Sequence, residues 1–202
     1  MGRPREHDET TRVALLDAAE ALVAAGGPDA VSVRAVADAV GTSTRAVYSL
    51  FASKDGLLAA LAQRAYELLT AAITRLPETD DPAADLVEAA LTVFRPMAIE
   101  HPSLFRLAFL KAVPTLPLTS GTREASTVAF GLLCERFERL QAAGQLGAGR
   151  DVRGSAAVFN ALCEGLATTE LRVTGLLGPD PAAAWRDAFA TLVAGFSTPG
   201  GG

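Results

Sequence analysis

The sequence predicts an all-α protein of about nine helices, a small three-helix unit followed by a larger helical bundle. Three observations carry that prediction. Apolar residues recur at helical spacing along nearly the whole chain, without strand-like alternation and without an internal repeat. Helix-start and helix-stop residues cut the chain at intervals: the Asp-Pro pairs Asp81-Pro82 and Asp180-Pro181, and the glycines Gly26-Gly27, Gly41 and Gly144. Hydrophobic residues make up 50% of the 202, enough for a substantial core. Charges, prolines or glycines interrupt every apolar run before it reaches the roughly 18 residues of a membrane span.

In chain order, residues 1–9 read as a flexible arm on which Arg3 and Arg5 could reach a minor groove or phosphates. The first helix is expected over about Thr10–Ala25, with Leu15, Leu16, Ala19, Leu22 and Val23 inward, stopped by Gly26-Gly27-Pro28. Two short helices follow within 32–51, completing a unit over 10–54. Ser53 then caps a helix running to about Leu76, with Asp55 in its first turn suiting the helix dipole. That helix leaves the small unit and links it mechanically to the bundle, residues 55–197. Asp81-Pro82 opens the next helix, in which Pro96 should produce a kink because it lacks an N–H and crowds the preceding turn. His101-Pro102 begins a short helix, 114–121 is a loop, and Thr122–Ala143 is a long helix. After the glycine-rich 144–150, the last two helices span about Val152–Thr174 and Pro181–Phe196. Residues 198–202 read as a disordered tail.

The most informative stretch is Ser32–Lys54. Val33, Val36, Ala37 and Val40 give its first helix one apolar face, Ser32 stands at the N-cap, and Gly41 at the C-cap. Thr42 or Ser43 can cap the second helix, which buries Val47, Leu50 and Phe51. At about 100° per residue, Arg45 and Ser49 point away from that apolar face, with Thr44 and Tyr48 on its flanks. A short helix presenting such residues on an apolar partner is what insertion into a DNA major groove requires. The candidate DNA-binding residues are Arg34, Thr42, Ser43, Thr44, Arg45, Tyr48, Ser49 and Lys54. An arginine at 45 can bond guanine O6 and N7 bidentately or contact a phosphate. Tyr48 reads as a DNA contact because Val47 and Phe51 already fill the core.

Charge limits this reading without removing it. The chain carries a net −5, and residues 1–64 hold seven Lys/Arg against eight Asp/Glu. Phosphate contacts need only local positive charge, and in 31–54 Asp38 alone opposes Arg34, Arg45 and Lys54. The expected salt dependence is therefore modest. No apolar signal core follows the basic N-terminal residues, so a cytoplasmic location is expected. The two cysteines, Cys134 and Cys163, lack metal spacing and read as reduced core thiols. No nucleophile–base pair, metal spacing or phosphate loop stands out, so neither an enzyme nor a cofactor nor a metal site is expected, and no membrane partner.

Residues 10–58 resemble the DNA-binding domain of the TetR family of transcriptional regulators. The resemblance rests on a first amphipathic helix ending in Gly-Gly, then VSVRAVADAVGTSTRAVYSLFASKDGLLAAL, with Gly41, Ser43, Val47, Tyr48, Phe51, Lys54, Asp55 and Leu57 at the family's pattern positions. It implies nine or ten helices, a homodimer on a palindromic operator, and a C-terminal bundle that binds a small molecule and dimerises. It also implies that Tyr48 and Lys54 touch the DNA backbone while exposed residues of the recognition helix read bases. Arg45 departs from the pattern, where glycine is common. The region from Phe94 through His101-Pro102-Ser103-Leu104-Phe105 is similar, over scattered residues, to a TetR-type C-terminal domain named for a Trp-His-Gly signature. At 160–165 only Gly165 fits; Asn160 and Glu164 replace the aromatic and the histidine.

Within the bundle, Phe94, Met97, Phe105, Phe109, Phe130, Cys134 and Phe137 either pack as core or line a cavity for a small apolar ligand. Asn160 and Glu164 are candidate polar groups for orienting it, as are Arg95, Arg106 and Thr127. The apolar, small-residue-rich last helix pair is expected to form an isologous four-helix dimer interface, with Phe159, Leu166, Trp185, Phe189, Leu192 and Phe196 on it. The leading expectation is a ligand-responsive repressor released from DNA by its ligand. The competing reading is an all-helical small-molecule-binding module, or an enzyme, without DNA recognition.

Overall fold

Most helices in the computed structural model start where an oxygen-bearing side chain precedes an apolar run. The structure describes residues 4–110, 112–173 and 175–199, the first five of these by backbone alone. Ser32 Oγ accepts from the Ala35 amide at 3.0 Å, Ser43 Oγ from Ala46 at 3.3 Å, and Ser53 Oγ from Gly56 at 2.9 Å. Asp81, Asp151 and Asp180 cap later helices in the same way, and Pro82 and Pro181 occupy first-turn positions where a missing N–H costs nothing. The helices are α1 (Pro4–Gly26), α2 (Val33–Val40), α3 (Thr44–Phe51), α4 (Lys54–Arg75), α5 (Pro82–Ala89), α6 (Arg95–Glu100), α7 (Pro102–Ala108), α8 (Ser120–Ala142), α9 (Val152–Arg172) and α10 (Pro181–Phe196). A π-helical turn, Ala90–Phe94, joins α5 to α6. Counting 82–100 as one helix gives nine among the described residues, and the fold is all-α as expected. No helix among the described residues is long and apolar enough to cross a membrane.

Two expectations about local structure change. The arm expected over 1–9 is helical from Pro4, a residue whose fixed φ suits a first helical turn; Arg3 and the side chain of Arg5 lie outside the described residues. At Pro96 the disturbance takes the form of a π turn. The Arg95 amide instead reaches back to the Ala90 carbonyl, five residues earlier, so the helix widens by one residue just before the proline. That absorbs the loss of the bond Pro96 would have given to Thr92.

The chain forms two compact units, one from Met1–Tyr66 and Pro102–Ala125, the other from Glu67–His101 and Ser126–Gly202. The division falls within α4 and α8, not at residue 54, because α7 packs on α1 and the start of α8 docks on α4. In the first unit, α1 contributes Leu15, Leu16, Ala19 and Val23 to a core shared with Val36, Val47, Phe51, Leu57, Leu58, Leu61, Leu104 and Phe105, all buried. Each fully buried Leu or Phe contributes about 1.5–3 kcal/mol by leaving water. Arg64 of α4 pairs with Asp17 of α1 at 2.6 Å, the Tyr66 hydroxyl donates to the Ala108 carbonyl at 3.1 Å, and Thr122 Oγ1 donates to the Ala59 carbonyl at 3.2 Å.

In the second unit an aromatic chain forms the core. Trp185 stacks on Phe189, which meets Phe159; Phe159 meets Phe137 edge-on, and Phe137 meets Phe196 edge-on, with centroids 4.7–5.8 Å apart. Glu170 accepts from Arg95 Nε at 3.0 Å and Nη2 at 2.6 Å, and from Trp185 Nε1 at 2.9 Å, which locks α6, α9 and α10 together. At the far end, the Gly147 amide donates to the Phe196 carbonyl, and Arg150 donates to the carbonyls of Gly195 and Thr198, capping α10. Thr198, expected in a disordered tail, is thus held; residues 200–202 lie outside the described residues.

Asp85 in α5 is buried and accepts from the Thr79 amide, the Thr79 hydroxyl and Arg139 Nη1 at 2.7–2.9 Å. Burial pushes its carboxyl up, but these hydrogen bonds and the Arg139 charge outweigh it and hold the group below the usual aspartate range. A depressed folded-state value means the contribution is complete above the unfolded value and fades as pH falls through it, that is, below about pH 4. Asp85→Asn is expected to lower stability by about 1–3 kcal/mol at neutral pH. It should also make denaturant midpoints less sensitive to pH below about 4 than those of the natural chain. Parallel pH profiles for the two proteins would contradict this.

Candidate nucleic-acid interface

α2 ends in a glycine-dependent turn that sets the angle of α3. Gly41 adopts φ 73°, ψ 29°; its amide bonds back to Asp38, and the Thr42 amide reaches the Ala37 carbonyl at 3.0 Å. That pair of bonds is a Schellman closure, and a β-carbon at 41 would be strained by the left-handed backbone although nothing crowds it. Val36 and Ala37 of α2 and Val47 and Phe51 of α3 are buried, so the apolar faces of both helices are consumed by the first unit's core.

The opposite face of α3 is solvent-facing. Thr44, Arg45, Tyr48 and Ser49 are exposed, Tyr48 to 54%. Tyr48 thus stands in water outside the core, while Val47 beside it is 0% exposed. Ser43 is exposed too, but its oxygen accepts from the Ala46 amide as the N-cap of α3, which commits the side chain to the turn. Thr42 is half-buried in the turn. Lys54, half-buried, is the first residue of α4, directly after the Ser53 cap. Arg34 on α2 is 87% exposed and lies 3.7 Å from Asp38 one turn on. Arg45 and Lys54 make no ion pair among the described residues. The structure therefore gathers the α3 residues on one outward face, with Arg34 on α2 and Lys54 at the start of α4.

The corner between α3 and α4 is tight. Ala52 has φ 62°, a left-handed conformation that costs a non-glycine residue on the order of 1 kcal/mol. A β-carbon on Gly56 would stand 1.9 Å from the Phe51 carbonyl oxygen, so only glycine allows this approach. Arg12 of α1 lies over the Phe51 ring at 5.8 Å. Reading the sequence did not single out Gly56 or Arg12, although a glycine in a helix's first turn signals close backbone approach.

The bundle residues fall out differently. Phe105 and Phe109 belong to the first unit, where Phe109 lies against Phe105 and Tyr66. Phe94, Met97, Phe130, Cys134, Phe137, Asn160 and Glu164 belong to the second unit. Phe94 and Met97 are buried, and Phe137 is a link in the aromatic chain and 0% exposed. Phe130 carries the Arg153 guanidinium over its ring at 5.0 Å. Asn160 Nδ2 donates to Glu164 Oε1 at 2.7 Å; burial pushes the Glu164 carboxyl above its usual range, against the lowering effect of that bond. Burial likewise raises the thiols of Cys163 and Cys134. Arg95 is committed to Glu170, and Arg106 and Thr127 are exposed.

Four of the six expected dimer-face residues need correction. Phe159, Trp185, Phe189 and Phe196 are at most 3% exposed within the single chain, where they pack on one another. They cannot meet a partner without unfolding this core. Leu166 and Leu192 remain half-exposed.

Two short helices joined by a glycine turn, with the second presenting polar side chains outward, define a helix-turn-helix DNA-binding unit. Residues 15–61 match the family model described as bacterial regulatory proteins, tetR family. A solved protein of unknown function from Rhodococcus sp. RHA1 is 29% identical with TM-score 0.81, the match covering 97% of this chain and 100% of that one. The TetR family transcriptional regulator PfmR from Thermus thermophilus is 23% identical with TM-score 0.67, covering 89% and 96%. A third structure, solved for the molecular basis of control of antibiotic production by bacterial hormones, is 26% identical with TM-score 0.69, covering 91% and 95%. No curated protein sequence matches. Residues 15–61 are thus matched as a TetR-family DNA-binding domain, and the fold of the chain is that of solved TetR-family regulators over nearly its whole length.

Proposed function

We propose that the chain is a homodimeric, ligand-responsive transcriptional repressor that binds a palindromic operator. The observation that carries this reading is the outward face of α3, Thr44, Arg45, Tyr48 and Ser49, held by a capped turn opposite the buried Val47 and Phe51. Two copies of α3 would enter successive major grooves about 34 Å apart, with Arg34 and Lys54 on flanking phosphates. The exposed faces of α9 and α10, with Ala157, Val158, Ala161, Gly165, Ala190 and Ala194, are small enough for close helix approach. With Leu166 and Leu192 at their margins, they supply the isologous dimer contact, and the aromatic chain behind them gives that surface its shape. A small apolar ligand in the second unit, contacted by Phe130 and Cys134 and oriented by Asn160 and Glu164, would favour a state in which the recognition helices no longer fit DNA. A small effector is supported by the similar structure that concerns control by bacterial hormones. To act, the ligand must bind the two states with different affinity. α4 begins beside the recognition unit and ends in the second unit, so it is the element to carry the change. A DNA target implies a cytoplasmic location.

Selection of the full-length chain against randomised duplexes, followed by mobility shift at several salt concentrations, tests the reading. A palindromic operator retarded by a dimer is the expected result. Retention of no duplex over others at any salt concentration would refute it. Native mass spectrometry of the purified chain tests the effector: a co-purifying small molecule should release the operator when added back.

A further inference from the structure

The geometry points to Asp38 as a built-in damper on the phosphate contact of Arg34, which lowers the chain's affinity for DNA of any sequence. This rests on the DNA-binding reading above. Asp38 is the sole acidic residue between Val31 and Lys54. It sits one helical turn after Arg34, its Oδ2 3.7 Å from the Arg34 Nε, with the two side chains 71% and 87% exposed. Both lie opposite the buried Val36–Ala37 face of α2. In a helix-turn-helix unit the first helix crosses the DNA backbone, so this outward face is the one nearest the phosphates. Arg45 and Lys54, in contrast, make no ion pair among the described residues.

The physics is a competition. The Asp38 carboxylate and a DNA phosphate are alternative partners for one guanidinium, and an i,i+4 pair in this order is weak enough to be displaced but not without loss. Once Arg34 turns to a phosphate, the uncompensated carboxylate faces the same negative backbone and repels it. Both effects oppose binding to DNA irrespective of sequence, because neither involves a base. In a domain whose seven basic residues are outnumbered by eight acidic ones over 1–64, this placement keeps the electrostatic contribution small. Occupancy then depends more on the contacts α3 makes with bases.

The test compares the natural chain with D38N, R34Q and the double variant. The targets are the selected operator and a random-sequence duplex of equal length, over a salt series. D38N is expected to raise affinity for both duplexes by about two- to tenfold at low salt and to steepen the salt dependence by about one counterion per half-site. The base preference should not change, and most of the gain should vanish in the R34Q background. All four proteins should unfold at nearly the same temperature, since both side chains are exposed. If D38N alters neither affinity nor salt slope, the pair is only a helix-surface contact and the inference fails. Weaker operator binding with one relaxed base position would instead make Asp38 a base reader, which also overturns it. A gain undiminished by R34Q would remove Arg34 from the explanation. If the natural chain binds no duplex at all, it is the underlying DNA-binding reading that falls.

Discussion

Arg45→Ala is expected to weaken operator binding by about 1–3 kcal/mol per half-site and to relax the preference at one base position in each. A symmetric dimer carries the change twice, so the combined loss reaches about 2–6 kcal/mol, a factor of roughly thirty to twenty thousand in Kd. The expectation follows from placement. Arg45 stands one turn ahead of Ser49 on the outward face of α3, exposed, and makes no ion pair among the described residues. Its side chain is therefore available to a groove, and its five donors in a planar fork fit the O6 and N7 of guanine together. Arg45→Lys keeps the charge but not the fork, so it should recover the salt slope of the natural chain without recovering the base preference. A phosphate contact would behave otherwise: Arg45→Ala would weaken all duplexes alike and flatten the salt slope by about one, and Lys would restore most of the affinity. Mobility shift on the operator and its single-base variants distinguishes the two.

Much of the recognition unit was legible because its signals are local. A serine at an N-cap, a glycine at a C-cap and an apolar pair at i and i+4 each act within one turn of chain, so Ser32, Gly41, Ser43, Val47 and Phe51 do what their spacing predicts. The Asp-Pro helix starts were readable for the same reason. Pro96 marked a disturbance in the helix, but the π turn that precedes it could not be read from the proline alone. The aromatic stripe of α10 shows the opposite limit. Periodicity places Trp185, Phe189, Leu192 and Phe196 on a shared stripe, yet says nothing about whether the chain's own helices or a partner's cover it. Here Phe159 of α9 and Phe137 of α8 do. The reach of the first unit was hidden too, because the docking of α7 on α1 and of Thr122 on Ala59 joins residues more than sixty positions apart. Asp38 was visible as a stray acid, and its place four residues after Arg34 sets the two on one helix surface, where they stand 3.7 Å apart.

Arg136→Met is expected to destabilise the chain by about 2–4 kcal/mol, and most of the damage should appear at the end of α4. Arg136 is a cation on α8 that is only 6% exposed. Its Nη2 donates to the carbonyls of Ile73 at 3.1 Å and Leu76 at 2.8 Å, and its Nη1 to the carbonyl of Pro77 at 3.3 Å. These lie at the C-terminus of α4, where the last carbonyls lack helical partners and the dipole is negative, and where a buried end without donors is costly. The guanidinium supplies both the donors and the opposite charge. Methionine fills similar volume but leaves the Leu76 and Pro77 carbonyls facing an apolar group and the Ile73 carbonyl with the Leu76 amide alone, and each unsatisfied carbonyl costs about 1 kcal/mol or more. Lysine restores the charge with a single point donor and should recover part of the loss. For a chain of this size the drop corresponds to about 5–15 °C in Tm. Amide exchange supplies the local readout: protection should fall first over residues 73–78 and the last turn of α4, while the α2–α3 amides keep theirs. A loss below about 1 kcal/mol would mean that water can replace the guanidinium at these carbonyls. The end of α4 would then hold by its apolar packing alone, and the arginine, though buried, would be dispensable.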